Sequence, residues 1–136
     1  MNNQKNIVLC GVGGQGTVLA SKLLAAAAMS KDIPVMSAET IGMAQRGGSV
    51  FSHLRMGDNL YSPMIETGTA DLIIGFEPGE TVRMLPYLKD HGHIVVSTRA
   101  VKPVTATLSG SDYDAPQMLE YLKAAVPNLT LVNADQ

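Results

Sequence analysis

Three features of this sequence predict an α/β fold: a three-layer α/β/α, Rossmann-like domain with a mostly parallel sheet and room for mixed pairing at one edge. Short, continuous apolar runs recur at Ile7-Val8-Leu9-Cys10, Leu72-Ile73-Ile74-Gly75 and Ile94-Val95-Val96-Ser97, the pattern of strands buried on both faces of a parallel sheet. Segments of helical composition lie between them. A glycine-rich turn, Gly11-Val12-Gly13-Gly14-Gln15-Gly16, joins the first strand to the first helix, as in phosphate-cradling α/β domains.

Element by element, Ile7 to Cys10 is the first strand. From Thr17 to Ser30 the composition turns to Ala, Leu and Met. Leu19, Leu23 and Ala26–Ala27 fall at i, i+4 and i+7/8, which predicts an amphipathic helix packing that stripe on the sheet. Ser21 and Lys22 then point elsewhere. Pro34 to Ala38 reads as a second strand, completing a βαβ unit with a right-handed crossover. Ser49 to Met56 is strand-like, and Gly57-Asp58-Asn59 is a turn. Leu72 to Gly75 is another strand, Glu80 to Leu88 a helix, and Asp90-His91-Gly92-His93 a turn into the strand Ile94 to Ser97. Val104 to Leu108 alternates as a strand with one exposed face. Pro116 to Val126 reads as a helix and Leu129 to Val132 as a last strand. The ending, Leu131 to Gln136, resembles a strand entering a helix cap, which suits either a fragment or an edge covered by a partner.

The 136 residues, 46% of them hydrophobic, suit one domain with a proper core. Ten basic side chains stand against twelve acidic ones, and no basic stripe interleaves with aromatics, so nucleic acid is not an expected partner. No apolar run is long enough for a membrane span and the start does not read as a signal peptide, so a cytoplasmic location is expected. A single cysteine, Cys10, rules out a disulfide within these residues and a self-contained iron–sulfur cluster, which takes about four thiolates. Redox metal chemistry would have to sit on another polypeptide.

Two blocks carry the candidate binding chemistry. In the glycine turn, Gly11 permits the tight turn, Gly13 close approach of backbone to a phosphate, and Gly16 close packing of helix on strand. The helix start beyond Gly14 directs unpaired N–H groups and a dipole toward an anion. Glu39 lies 23 positions beyond Gly16, where dinucleotide-binding proteins hold a ribose. The same glycines also serve a purely structural strand-to-helix turn. The second block is Gln45-Arg46-Gly47-Gly48-Ser49, in which a guanidinium beside two glycines can meet a phosphate or carboxylate, or tie down its own loop. His53, His91 and His93 have no metal-ligand partner at useful spacing, so no metal site is expected. Cys10 reads as a small buried hydrophobe, the eight methionines as core filling, and Glu77-Pro78-Gly79-Glu80 as loop at the sheet's carboxyl edge. No nucleophile–base set is visible, and no catalytic residue is assigned.

Taken together, the glycine turn, Glu39-Thr40-Ile41-Gly42-Met43-Ala44-Gln45-Arg46-Gly47-Gly48-Ser49-Val50, Tyr61-Ser62-Pro63 and Gly75-Phe76-Glu77-Pro78 resemble the gamma-type subunit of 2-oxoacid:ferredoxin oxidoreductases, best of all the small (beta) subunit of the indolepyruvate enzymes. The similarity spans roughly residues 6 to 100, and the Gln-Arg-Gly-Gly block at its distance from the glycine turn is its most specific part. The resemblance implies a non-redox subunit, inactive alone, that helps form a site where a 2-oxoacid is oxidatively decarboxylated to an acyl-CoA. It implies thiamine diphosphate and iron–sulfur clusters on a large partner subunit, ferredoxin reached through the complex, and coenzyme A as co-substrate. Carried onto matching positions, Gly11, Gly13, Gly14, Gln15, Gly16, Gln45, Arg46, Gly47 and Gly48 become the ligand-facing candidates. Family members run on for some tens of residues past the point matching Gln136, so the expected unit is one gamma-type domain over 1–136, shortened at its C-terminus. An NAD-binding domain and a pure assembly module stay open as rivals.

Overall fold

Eight residues of mostly apolar, β-branched or small character, Lys5–Val12, form the strand β1, whose last five positions are all buried. It lies at the centre of the sheet, where both faces are covered and an unbroken apolar run is what the environment demands. The computed structural model describes residues 4–13, 16–41, 48–99 and 115–133. The chain continues through helix α1 (Thr17–Ser30), strands β2 (Val35–Ile41), β3 (Ser49–Met56) and β4 (Ala70–Gly75), and helix α2 (Pro78–Arg83). A 3₁₀ turn (Leu85–Tyr87), strand β5 (Leu88–Ser97), helix α3 (Ala115–Ala125) and strand β6 (Asn128–Val132) follow. The predicted strand Val104 to Leu108 lies outside the described residues.

The six strands run in the order β2-β3-β1-β4-β5-β6. β1, β4, β5 and β6 pair in parallel, whereas β3 is antiparallel to both β1 and β2. The mixed pairing thus sits toward one end of the sheet, one strand in from the edge. This corrects the simple βαβ unit read from the sequence: β2 does run parallel to β1, but β3 returns between them. The β1–β3 ladder extends from Lys5↔Met56 to Val12↔Ser49, so β3 satisfies the backbone groups of β1 along its whole length.

Strand residues alternate between the two faces. One face carries Val8, Cys10, Ile73, Ile94 and Val96, which form the apolar core with Ile65, Ala70, Met84, Leu122 and Val126. Met84 closes α2, and Leu122 lies in α3, so α2 and α3 cover this face. α1 packs on β3, β2 and β1 against the opposite face, as right-handed crossovers in opposite directions from β1 and β4 require.

The helix α1 occupies the span predicted for it, but its orientation is reversed. Thr17, Ser21 and Ala28 are buried, while Leu19 and Leu23 are 62% and 63% exposed and Ala26 and Ala27 face outward. Lys22 is exposed, as predicted. Both stripes share the spacing of a helix face. The stripe of small side chains is the one that brings a helix axis close to a sheet. Two further boundaries move. The helix predicted for Glu80 to Leu88 ends at Arg83, because Pro86 cannot continue it and a 3₁₀ turn takes over. The turn predicted at Asp90 to His93 lies inside β5, where His91 has φ 64° and the register with β4 slips between Ala70 and Leu72.

Candidate functional site

β1 and β4 are parallel neighbours whose carboxyl ends part company. After β1 the chain enters α1 on one face, and after β4 it enters α2 on the other. Such a switch point opens the crevice in which open α/β sheets bind ligands. Gly11 to Gly13 and Gly16 stand on one side of it, and Gly75-Phe76-Glu77-Pro78 on the other. Phe76 N–H donates to the Cys10 carbonyl at 2.8 Å, which seams the two walls together.

On the first wall, Gly11 is buried and pairs with Val50. Gly13 N–H donates to the Gly48 carbonyl at 2.8 Å, so the glycine turn and the end of the second block are in direct contact. Gly16 caps α1 with φ 88°, a left-handed conformation that suits glycine, and its carbonyl accepts the first helical bond, from Ala20 N–H at 2.9 Å. Among the described residues no side chain caps this end. The N–H groups of the first turn therefore lack intrahelical partners and favour an anion. Thr17, in that first turn, is buried, and its Oγ1 has no hydrogen-bond partner among the described residues. A buried orphan hydroxyl costs stability unless something completes it. Gly14, Gln15, Gln45, Arg46 and Gly47 lie outside the described residues.

The second wall is more than the loop that the sequence suggests. Glu77 is the N-cap of α2, with Pro78 in the first turn, and its carboxylate accepts from Glu80 N–H at 2.9 Å. The Glu77 carbonyl accepts from Thr81 Oγ1 at 2.7 Å. Cap, proline and acidic first turn form a recognisable helix-start pattern, and that is the signal by which Glu77 and Glu80 could have been found. Gly75 is required here: a Cβ on it would stand 1.8 Å from Thr81 Oγ1. Glu80 is 3% exposed, and Ser49 Oγ donates to its carboxylate at 2.8 Å. Arg83 Nη1 donates to Ser49 Oγ at 2.8 Å and lies 3.4 Å from both Glu80 oxygens. Arg83 carries no motif signal, and although Ser49 closes the second block, only the antiparallel return of β3 brings it to this edge and to Glu80.

Cys10, two residues before the end of β1, has its Sγ donating to Thr81 Oγ1 at 3.9 Å. Burial pushes its thiol up to about 12; the Thr81 hydrogen bond opposes this, and the Glu80 and Glu77 carboxylates add to it. Cys10 is therefore a protonated, unreactive core residue at neutral pH. His53 is also buried, and its Nδ1 accepts from Ile65 N–H at 2.9 Å. His91 and His93 are exposed on β5, His93 Nε2 lying 2.9 Å from Thr130 Oγ1. No group of three or more His, Cys, Asp or Glu side chains among the described residues could hold a metal.

Glu39 is exposed and pairs with Ser52 across the β2–β3 ladder. With β3 between β2 and β1, it stands two strand spacings, about 10 Å, from the strand that leads into the glycine turn. A ribose held beside that turn needs the acidic residue on the adjacent strand, so the dinucleotide reading of Glu39 fails on topology.

Two surface hollows lie at the opposite edge of the sheet. One of about 710 Å³ is lined by Leu85, Pro86, Leu88, Tyr121 and Pro127 among others. Another of about 560 Å³ is lined by Lys5, Arg55, Asp71 and Lys89 among others. Neither holds a glycine loop or an uncapped helix start, so the chemistry favours the crevice. No helix among the described residues is long and apolar enough to cross a membrane.

Comparison with known proteins identifies the family and the fold. Residues 6–135 match the family described as pyruvate ferredoxin/flavodoxin oxidoreductase. The chain is 39% identical over 132 residues to the indolepyruvate oxidoreductase subunit IorB of Archaeoglobus fulgidus, covering 96% of this chain and 65% of that protein. It spans about half to two thirds of the length of the curated indolepyruvate oxidoreductase subunits it matches. Its fold resembles the pyruvate oxidoreductase subunit PORC of Thermotoga maritima, with a TM-score of 0.64 at 20% identity over 96% of this chain and 62% of that one. It also resembles part of the 2-oxoglutarate:ferredoxin oxidoreductase of Magnetococcus marinus, solved with 2-oxoglutarate, coenzyme A and succinyl-CoA bound. There the TM-score is 0.66 at 16% identity, over 98% of this chain and 20% of that one.

Proposed function

The chain belongs to the pyruvate ferredoxin/flavodoxin oxidoreductase family, and from that premise we propose that it is the small, non-redox subunit of a 2-oxoacid:ferredoxin oxidoreductase acting on indolepyruvate or a related arylpyruvate. The Gly13–Gly48 hydrogen bond of 2.8 Å carries this reading, because it joins the two most family-specific blocks at one switch-point crevice. Thiamine diphosphate and iron–sulfur clusters, on a large partner subunit that hands electrons to ferredoxin, supply the decarboxylation and the electron transfer.

In this reading the chain's own residues receive coenzyme A. The uncapped start of α1 and the Gly13–Gly16 backbone meet a phosphate, and the buried Thr17 hydroxyl gains the partner it lacks. Arg46 adds a guanidinium from the second block. The site is completed by the partner, which agrees with the absence of any nucleophile–base set in the sequence. A second reading, an assembly module whose glycine loops only seat the partner, is favoured by the outward Leu19 and Leu23 of α1.

Co-expression with a thiamine- and cluster-bearing subunit should yield 2-oxoacid-dependent, coenzyme A-dependent ferredoxin reduction, while the purified chain alone shows none. Turnover by the chain alone would refute the reading. Arg46→Ala should raise the KM for coenzyme A about ten- to a hundredfold, since a charge-assisted hydrogen bond contributes roughly 1.5–3 kcal/mol. An unchanged KM favours the assembly module.

A further inference from the structure

Arg83 closes α2 at the crevice rim in an arrangement that a surface ion pair does not explain. Its partner carboxylate, Glu80, is nearly enclosed, at 4% side-chain exposure, whereas the Arg83 side chain is 62% exposed. Only Nη1 is engaged, by Ser49 Oγ at 2.8 Å and by the Glu80 oxygens at 3.4 Å. Nε and Nη2 have no partner among the described residues, so one fork of the guanidinium stays available. That fork is a fixed, planar pair of donors that matches a phosphate or carboxylate.

Its position is set by the glycine loops. Ser49 pairs with Val12, the residue before Gly13, and follows Gly48, whose carbonyl holds the Gly13 amide. Arg83 is therefore anchored to the strand end from which both candidate loops spring. Glu80 and Ser49 orient it, Glu80 by charge and Ser49 by accepting from Nη1 while donating to Glu80.

We propose that Arg83 is an oxyanion-binding residue of the crevice, taking a phosphate of coenzyme A or the carboxylate of the 2-oxoacid, with Ser49 and Glu80 as its positioning residues. This deepens the functional reading above and rests on it for the identity of the ligand. Removing the charge removes a ligand contact, whereas removing Ser49 only loosens the orientation of the guanidinium.

The test is steady-state kinetics of the complete complex with Arg83→Gln, Arg83→Lys and Ser49→Ala. Arg83→Gln should raise the KM for coenzyme A about ten- to a hundredfold with kcat little changed. Arg83→Lys should restore part of the loss and Ser49→Ala should cost less. A rise in the KM for the 2-oxoacid instead identifies the carboxylate as the anion. Unchanged values of both KM in Arg83→Gln, with a lowered Tm shared by Ser49→Ala, would show a purely structural clasp and overturn the proposal. A wild-type complex without coenzyme A-dependent turnover would instead sink the functional reading. Calorimetry of the complete complex with inorganic pyrophosphate and, separately, with the 2-oxoacid then decides the Arg83 proposal alone: weaker binding of either in Arg83→Gln supports it, and binding of both unaffected by the substitution, or absent from wild type, overturns it.

Discussion

The two faces of the sheet are built on opposite principles. The face under α2 and α3 is sealed by Val8, Cys10, Ile73, Ile94 and Val96 against Met84, Leu122 and Val126, a continuous apolar core. The face under α1 buries Thr17 and Ser21 from the helix, and Ser52 of β3, in register with Leu9, lies fully buried on it. Two of those hydroxyls, Thr17 Oγ1 and Ser52 Oγ, have no partner among the described residues. The leucines that would ordinarily seal such a helix point outward instead. One face is built for stability; the other holds a helix close to the sheet with small side chains, its start aimed at the crevice and its outer stripe left bare.

Substitutions in matched positions should expose the contrast, beginning with the largest effect. Ile73→Ala, fully buried on the sealed face, should destabilise the chain by roughly 2–5 kcal/mol in denaturant unfolding. Leu23→Ala on the outer stripe of α1 should change it by no more than about 0.5 kcal/mol. Comparable losses would show that the outer stripe is buried within the chain itself and remove the contrast.

A smaller effect of opposite sign is expected at Thr17. Thr17→Val removes an unsatisfied buried hydroxyl at nearly constant shape, so the free chain should gain about 1 kcal/mol. The KM for coenzyme A should rise in the complex, because the hydroxyl is the group the ligand would complete. A loss of stability would mean the hydroxyl already has a partner.

The smallest effect belongs to His53 on the sealed face. Its Nδ1 accepts the Ile65 amide, its Nε2 has no partner among the described residues, and it sits between the Phe51 and Tyr87 rings. Burial lowers its pKa below the usual histidine value of 6.5. The folded state therefore binds the proton less readily than the unfolded chain, and stability should decline as pH falls below about 6.5, down to the lowered folded value. His53→Asn, which keeps an acceptor for Ile65, should flatten that decline in urea titrations between pH 7 and pH 5. An unaltered profile would assign the slope to other groups. Asp71 acts lower in the range: burial raises its pKa, but the Lys89 hydrogen bond and the Asn6 amide outweigh that and the net shift is downward, so its contribution fades as pH falls through the carboxylate range.

Much of this was legible residue by residue. β1, β4, α1, α3 and β6 stand where apolar runs and helical composition put them, because strand and helix signals are local. The helix-start pattern at Glu77 to Glu80 was equally local, and reading it as loop undervalued a cap. The boundary between α2 and β5 was not legible, since Pro86 and the left-handed His91 compete with a periodic apolar pattern. Ser49 was legible as the end of the second block, but its link to Arg83 was not, since the two are 34 positions apart with no motif joining them.

By itself the sequence determined the layered α/β class, the glycine turn between β1 and α1 and, through the joint spacing of that turn and the Gln45–Gly48 block, the family. These rest on local backbone preference and short-range spacing. Only the tertiary structure decided which face of α1 is buried, since two stripes of equal spacing compete and close approach to the sheet selects the smaller side chains. It alone placed β3 between β1 and β2, removing Glu39 from the crevice and bringing Ser49, Glu80 and Arg83 to its rim. Strand order is a non-local choice, made by which edges satisfy one another's hydrogen bonds, and no window of sequence contains it.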